Sequence, residues 1–164
     1  MLRPAWRRGA NMWVWFNKLF RKGRRVAGYS AATERGAGGE RTAAAWLERE
    51  RGFRTLARNW RNPHDEREEL DLVCRDAEVL VFVEVKTRAP GALVSGYHAV
   101  NQRKRDVLRR AALAYLRRLP LASRPRTFRF DIVEVESALA PAALAAVTVR
   151  HFENVPLFRK HDRP

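Results

Sequence analysis

Little in this sequence ties it to an oxidising compartment or to the interior of a membrane. Its single cysteine, Cys74, excludes an intramolecular disulfide and fits a reducing cytoplasm. Cys74 falls in a predicted strand, where a thiol is a small packed hydrophobe rather than a nucleophile. No apolar run approaches the roughly 18–20 residues that span a bilayer. The four histidines, His64, His98, His151 and His161, are scattered without zinc-ligand spacing and receive no metal role. Internal repeats and low-complexity tracts are not evident. Acid is the charge in short supply: 18 Asp and Glu face 33 Lys and Arg, a net charge of +15 over 164 residues. That excess suggests a polyanionic partner, most often nucleic acid and less often an anionic membrane surface. A hydrophobic content of 46% excludes a disordered chain, and the length suits one domain with a real core plus some tail.

Residues 1–33 stand apart as a basic arm. Arg3, Arg7, Arg8, Lys18, Arg21, Lys22, Arg24 and Arg25 meet no acid before Glu34. The aromatic stretch Trp13–Phe20 between them is too short to cross a bilayer. As a signal peptide it has a poor cleavage pattern, and basic residues follow its apolar run. It is compatible with a basic amphipathic segment lying on a membrane or on nucleic acid, and with translation starting at Met12 or later. A poorly ordered arm ranks first.

The domain is expected over 34–154, with a basic tail over 155–164. Thr33 suits a helix N-cap, Ala43–Leu47 has good helix propensity, and Gly52 suits the position just past the helix end. Strands are predicted at Phe53–Trp60, Leu70–Cys74 and Val79–Thr87, with a turn at Asn62–Asp65 and another at Asp76–Glu78. Helical spacing of Val100, Val107, Leu108, Ala111, Tyr115 and Leu119 predicts a helix from about His98 to Leu119, its arginines mostly off the buried face. A fourth strand is expected at Thr127–Glu136 and a short edge strand within Ala146–Glu153. The Ala-rich stretch around Pro141 is ambiguous. This order predicts an α/β sheet with helices packed on it.

The densest strand, Val79–Thr87, holds no Gly or Pro and reads as central, covered on both faces. It nevertheless ends in charge. Alternation puts Glu84 and Lys86 on one face and Val83 and Val85 on the other. A hairpin centred on Ala77-Glu78 sets Val73 opposite Phe82, Arg75 opposite Leu80, and Asp71 opposite Glu84, with Glu69 and Lys86 farther along that face. Two opposed carboxylates repel unless a cation lies between them. Mg²⁺ takes one or two protein carboxylates and leaves its other positions to water and phosphate oxygens. Lys86 adds a charge that can position an attacking water and stabilise a phosphate. The set suits phosphodiester hydrolysis.

These residues carry a resemblance. Asp71 followed by Glu84-Val85-Lys86 at a strand end resembles the PD-(D/E)XK nuclease signature. Gly39-Glu40, Arg58–Arg61, Glu69–Val73, Phe82–Arg88 and Phe130–Val133 together resemble the YraN-like family, a numbered uncharacterised bacterial family related to Holliday-junction resolvase-like folds. The resemblance spans roughly residues 34–136, within the usual ~2–4 residue boundary error. It implies a mixed central β-sheet flanked by helices, a restriction-endonuclease-like core. It also implies a Mg²⁺ or Mn²⁺ site at Asp71 and Glu84 with a ligand from the Val85 carbonyl, Lys86 as the catalytic lysine, and Glu40 as an accessory carboxylate. One residue departs from the family pattern: Glu68 stands where a glycine is usual. By residue type and position, Arg88, Arg103, Lys104 and Arg105 suit contacts with a nucleic-acid backbone, which position the partner without reading sequence.

Each residue also has a plainer account. Glu84 and Lys86 can be an ion pair at a solvated sheet edge. Glu40 can complement a helix dipole, and Glu68 and Glu69 can face solvent. Asp131 is expected to order a loop or pair with an arginine. The leading expectation is a cytoplasmic, metal-dependent endonuclease acting on DNA, with structured or branched DNA suggested by the family alone. Its rivals are a non-catalytic nucleic-acid-binding protein of the same fold and a membrane-surface protein attached through the arm; a homodimer is compatible with either.

Overall fold

The computed structural model describes residues 31–88, 101–136, 147–158 and 162. Helix α1 (Ala31–Arg51) is followed by strands β1 (Arg54–Asn62), β2 (Asp65–Asp76) and β3 (Val79–Arg88). Helix α2 (Gln102–Arg118) and a short 3-10 turn (Leu121–Ser123) lead into β4 (Thr127–Glu136) and β5 (Thr148–Phe152). The five strands form one mixed sheet in sequence order: β3 and β4 are parallel, and every other neighbouring pair is antiparallel.

β3 occupies the middle of the sheet, as its composition predicts. Leu80, Val81, Phe82 and Val83 are all buried, and alternation sends them to two cores. Leu80 and Phe82 join Leu108, Ala111, Tyr115 and Leu116 of α2. Val81 and Val83 join Ala43, Ala44 and Leu47 of α1. Each helix thus covers one face of the sheet. Full burial of such a side chain contributes about 1.5–3 kcal/mol, and two faces let one short strand serve both cores.

Several boundaries differ from expectation. α1 is described from Ala31 and takes Thr33 into its helix, so Thr33 is not the cap. Its far end is as expected: Gly52 has φ +68, and the Phe53 N–H turns back to the Leu47 carbonyl at 3.1 Å. The strand after it begins at Arg54 rather than Phe53. β2 begins at Asp65, ahead of the predicted Leu70, because Pro63-His64 makes a tight turn that pairs Asn62 with Asp65. The Asn62 side chain closes that turn by accepting the His64 N–H at 3.1 Å. α2 begins at Gln102, where Asn101 caps it by accepting the Lys104 N–H at 2.9 Å. Half-buried Val107 lies at the margin of its buried face, to which Ala112 and Leu116 belong. Past the predicted domain end, Val155 is buried and Phe158 packs edge-to-face on Phe128 with ring centres 4.7 Å apart. Residues 1–30 of the arm expected over 1–33, His98 and Val100, and the stretch around Pro141 lie outside the described residues, while the arm's last three residues belong to α1.

Among the described residues, no helix is long and apolar enough to cross a membrane. Cys74 is fully buried, and burial pushes its thiol up to about 12, so it packs as a hydrophobe.

Candidate functional site

The β2–β3 hairpin has the predicted register: Val73 pairs with Phe82, Arg75 with Leu80, and Leu72 with Val83. The paired ladder ends at Leu72–Val83, and Asp71 and Glu84 are the next residues beyond it on the two strands. Asp71 Oδ2 accepts the Val85 N–H at 2.7 Å, which ties the carboxylate to the adjacent strand. Glu84 is only 2% exposed. Its Oε1 takes Lys86 Nζ at 2.6 Å and Lys104 Nζ, from the first turn of α2, at 3.3 Å. Glu84 Oε2 is buried with no hydrogen-bond partner among the described residues, a costly state for a carboxylate oxygen.

Burial is the main force raising the Asp71 carboxyl to about 7, and the Glu84 charge raises it further against the Val85 hydrogen bond and Lys104. Glu40 reaches the same neighbourhood from α1. Its carboxyl is raised by burial, lowered by a hydrogen bond from Asn59 Nδ2 at 2.5 Å, and raised again by the charges of Glu69 and Glu84. The helix can come this close because Gly39 has no side chain: a Cβ there would lie 2.0 Å from Thr87 Oγ1 of β3.

Asp71, Glu84 and Lys86 are therefore brought together and Lys104 joins them, while Glu40, bonded to Asn59, lies within reach of their charges. The other predicted phosphate contacts divide. Arg88 Nε lies 3.0 Å from Glu134 Oε1 on β4, Arg103 is exposed, and Arg105 is half-buried. Glu69 pairs with Arg61 at 3.1 Å. Glu68 is a correction to the solvent-facing expectation: it is buried, accepting from Asn62 Nδ2 at 2.8 Å and Arg110 Nε at 2.7 Å. A carboxylate with those two donors is satisfied where a glycine would leave room. Asp131 behaves as expected of a structural acid. Against the upward push of burial, bonds from His151, Arg129 and the Asn154 N–H hold its carboxyl below the usual range. Sequence reasoning gave Asn59 no place beside Glu40 and overlooked Glu134 beside Arg88; the parallel register, which sets Glu134 opposite Lys86, is the signal for the second.

Among the described residues, no three His, Cys, Asp or Glu side chains form a metal-holding group. The donor set fits a hard divalent cation in a more modest way: two neighbouring carboxylates, one with an unpartnered oxygen and the other pushed toward its neutral form by burial and, less, by the Glu84 charge. Mg²⁺ requires no more protein carboxylates than that.

A mixed α/β sheet with acids and lysines gathered at the end of its central strand defines the general class. Comparison with known proteins gives the family. The profile of uncharacterised protein family UPF0102 matches residues 39–135, and the chain belongs to that family. A UPF0102 protein of Beutenbergia cavernae is 46% identical over 108 residues, covering 66% of this chain and 86% of that protein. Another, from Nitratidesulfovibrio vulgaris, is 43% identical over 110 residues, covering 67% and 78%.

Proposed function

We propose that this protein is a cytoplasmic, divalent-metal-dependent endonuclease of restriction-endonuclease-like, PD-(D/E)XK type that hydrolyses phosphodiester bonds in DNA. The observation that carries the reading is the buried, unpartnered Oε2 of Glu84, beside Val85, whose N–H the Asp71 carboxylate accepts across the strands. Asp71, Glu84 and the Val85 carbonyl would hold Mg²⁺ or Mn²⁺, which when bound polarises a phosphate and lowers the pKa of water. Lys86, tethered to Glu84, would orient the attacking water and stabilise charge on the phosphate. Lys104, paired with Glu84, would also contact the incoming backbone, with Arg88, Arg103 and Arg105 as further phosphate contacts. Glu40 would tune the cation or help hold a second one. Structured or branched DNA is the proposed substrate class.

The net charge of +15 also favours a second reading, a nucleic-acid-binding protein without catalysis. Cleavage of labelled single-stranded, duplex and four-way-junction DNA with Mg²⁺, Mn²⁺ or EDTA separates the two. The nuclease reading predicts metal-dependent cleavage lost in Glu84→Ala and Lys86→Ala. Salt-sensitive binding without cleavage, equal in all three proteins, supports the second reading instead. Binding to anionic vesicles that disappears when residues 1–33 are deleted, with no affinity for DNA, supports membrane attachment.

A further inference from the structure

Asn59 is an exposed residue of β1 with φ +48, a left-handed backbone inside a strand. Side chains other than glycine adopt that conformation at a cost, asparagine more readily than most. Burial does not demand it, since the side chain faces solvent. Its position is informative: Arg58 pairs with Leu72 and Trp60 with Leu70, so Asn59 stands opposite Asp71. From there its Nδ2 donates to Glu40 Oε2 at 2.5 Å. Glu40 is held on the other side by α1, seated on β3 where Gly39 meets Thr87. The charges of Glu69 and Glu84 act against the ionised Glu40 carboxylate, so a donor bonded to it favours its charged form.

We infer that Asn59 is a positioning residue: its left-handed backbone aims the side-chain amide at Glu40 and holds that carboxylate toward the Asp71–Glu84 pair. This rests on the nuclease reading, because it gives the held acid a cation to serve. The amide offers Glu40 a fixed donor, and the cost of the backbone is accepted where the acid must be presented. Groups of this kind, once removed, typically cost about 10–100-fold in metal affinity.

Calorimetric titration of Mn²⁺ into the full-length protein tests it, with denaturant unfolding run on every variant. Asn59→Gly keeps the left-handed backbone available and deletes only the amide. The inference predicts that Asn59→Gly and Glu40→Gln each weaken Mn²⁺ binding about 10-fold, that the double variant loses no more than either single one, and that Asn59→Gly unfolds no earlier than wild type. Wild-type Mn²⁺ affinity in Asn59→Gly, or losses that add in the double variant, would overturn it while leaving the metal site intact, provided Glu84→Gln abolishes binding. If wild type takes up no Mn²⁺, or Glu84→Gln binds it unchanged, the metal-site reading falls and this inference with it.

Discussion

Asp71 is the residue whose surroundings are most at odds with its charge. It is pressed between burial and Glu84, and its carboxyl is raised from 3.8 to about 7, a property of the pair more than of either acid. The sign of the linkage follows. In the unfolded chain the proton leaves near 3.8, whereas the folded protein keeps it to about 7. The favourable contribution is therefore fully present below 3.8 and is lost as pH rises to about 7. In metal-free buffer, Asp71→Asn should flatten that dependence and be more stable than wild type at pH 8, relative to pH 5, by ~1 kcal/mol or more. Denaturant midpoints at the two pH values measure it; parallel slopes would contradict the assigned cause. Such a gain in stability from deleting an acid is what a site built for a cation should show. Asp131 is the contrast: an aspartate that is completely buried yet held below the usual carboxylate range, it is satisfied by Arg129, His151 and Asn154.

At the scale of elements, the β2–β3 hairpin and the seat of α1 on β3 assemble the centre. The hairpin was legible in the sequence because the apolar run Val79–Val85 declares a central strand and the Ala77-Glu78 turn fixes its register. Once those are known, Asp71 and Glu84 must face each other. The start of α1 was not legible. Gly36, Gly38 and Gly39 weaken helix propensity by about 1 kcal/mol each, and what offsets Gly39 is a contact with Thr87, far along the chain. The early start of β2 was hidden likewise, since Asp65–Glu69 reads as loop until pairing with β1 and bonds to Glu68 from Asn62 and Arg110 are seen. The two glycines make a matched test. Gly39→Ala places a methyl 2.0 Å from Thr87 Oγ1 and must lift α1 from β3, costing about 1–3 kcal/mol. Gly38→Ala meets nothing nearer than Arg41 at 4.0 Å and should stabilise by about 0.5–1 kcal/mol. Equal effects of the two in thermal or denaturant unfolding would refute the close packing of the helix on the strand.

At the scale of the whole molecule, a basic protein concentrates acid in one place. The chain carries +15, yet Asp71 and Glu84 lie near the end of the central strands within electrostatic reach of Glu40, on which Glu69 also acts, with Lys86 and Lys104 set on Glu84. A polyanion would be attracted by the first feature and repelled by the second unless a cation mediates, the role given to the metal in the proposed function. The most direct test is an anomalous-difference map from crystals of the full chain soaked in Mn²⁺. The account predicts a peak between Asp71 and Glu84, at about 2.0–2.2 Å from an oxygen of each, that vanishes in Glu84→Gln crystals soaked alike. Well-ordered crystals with no peak there, or with Mn²⁺ only at other carboxylates, would contradict it.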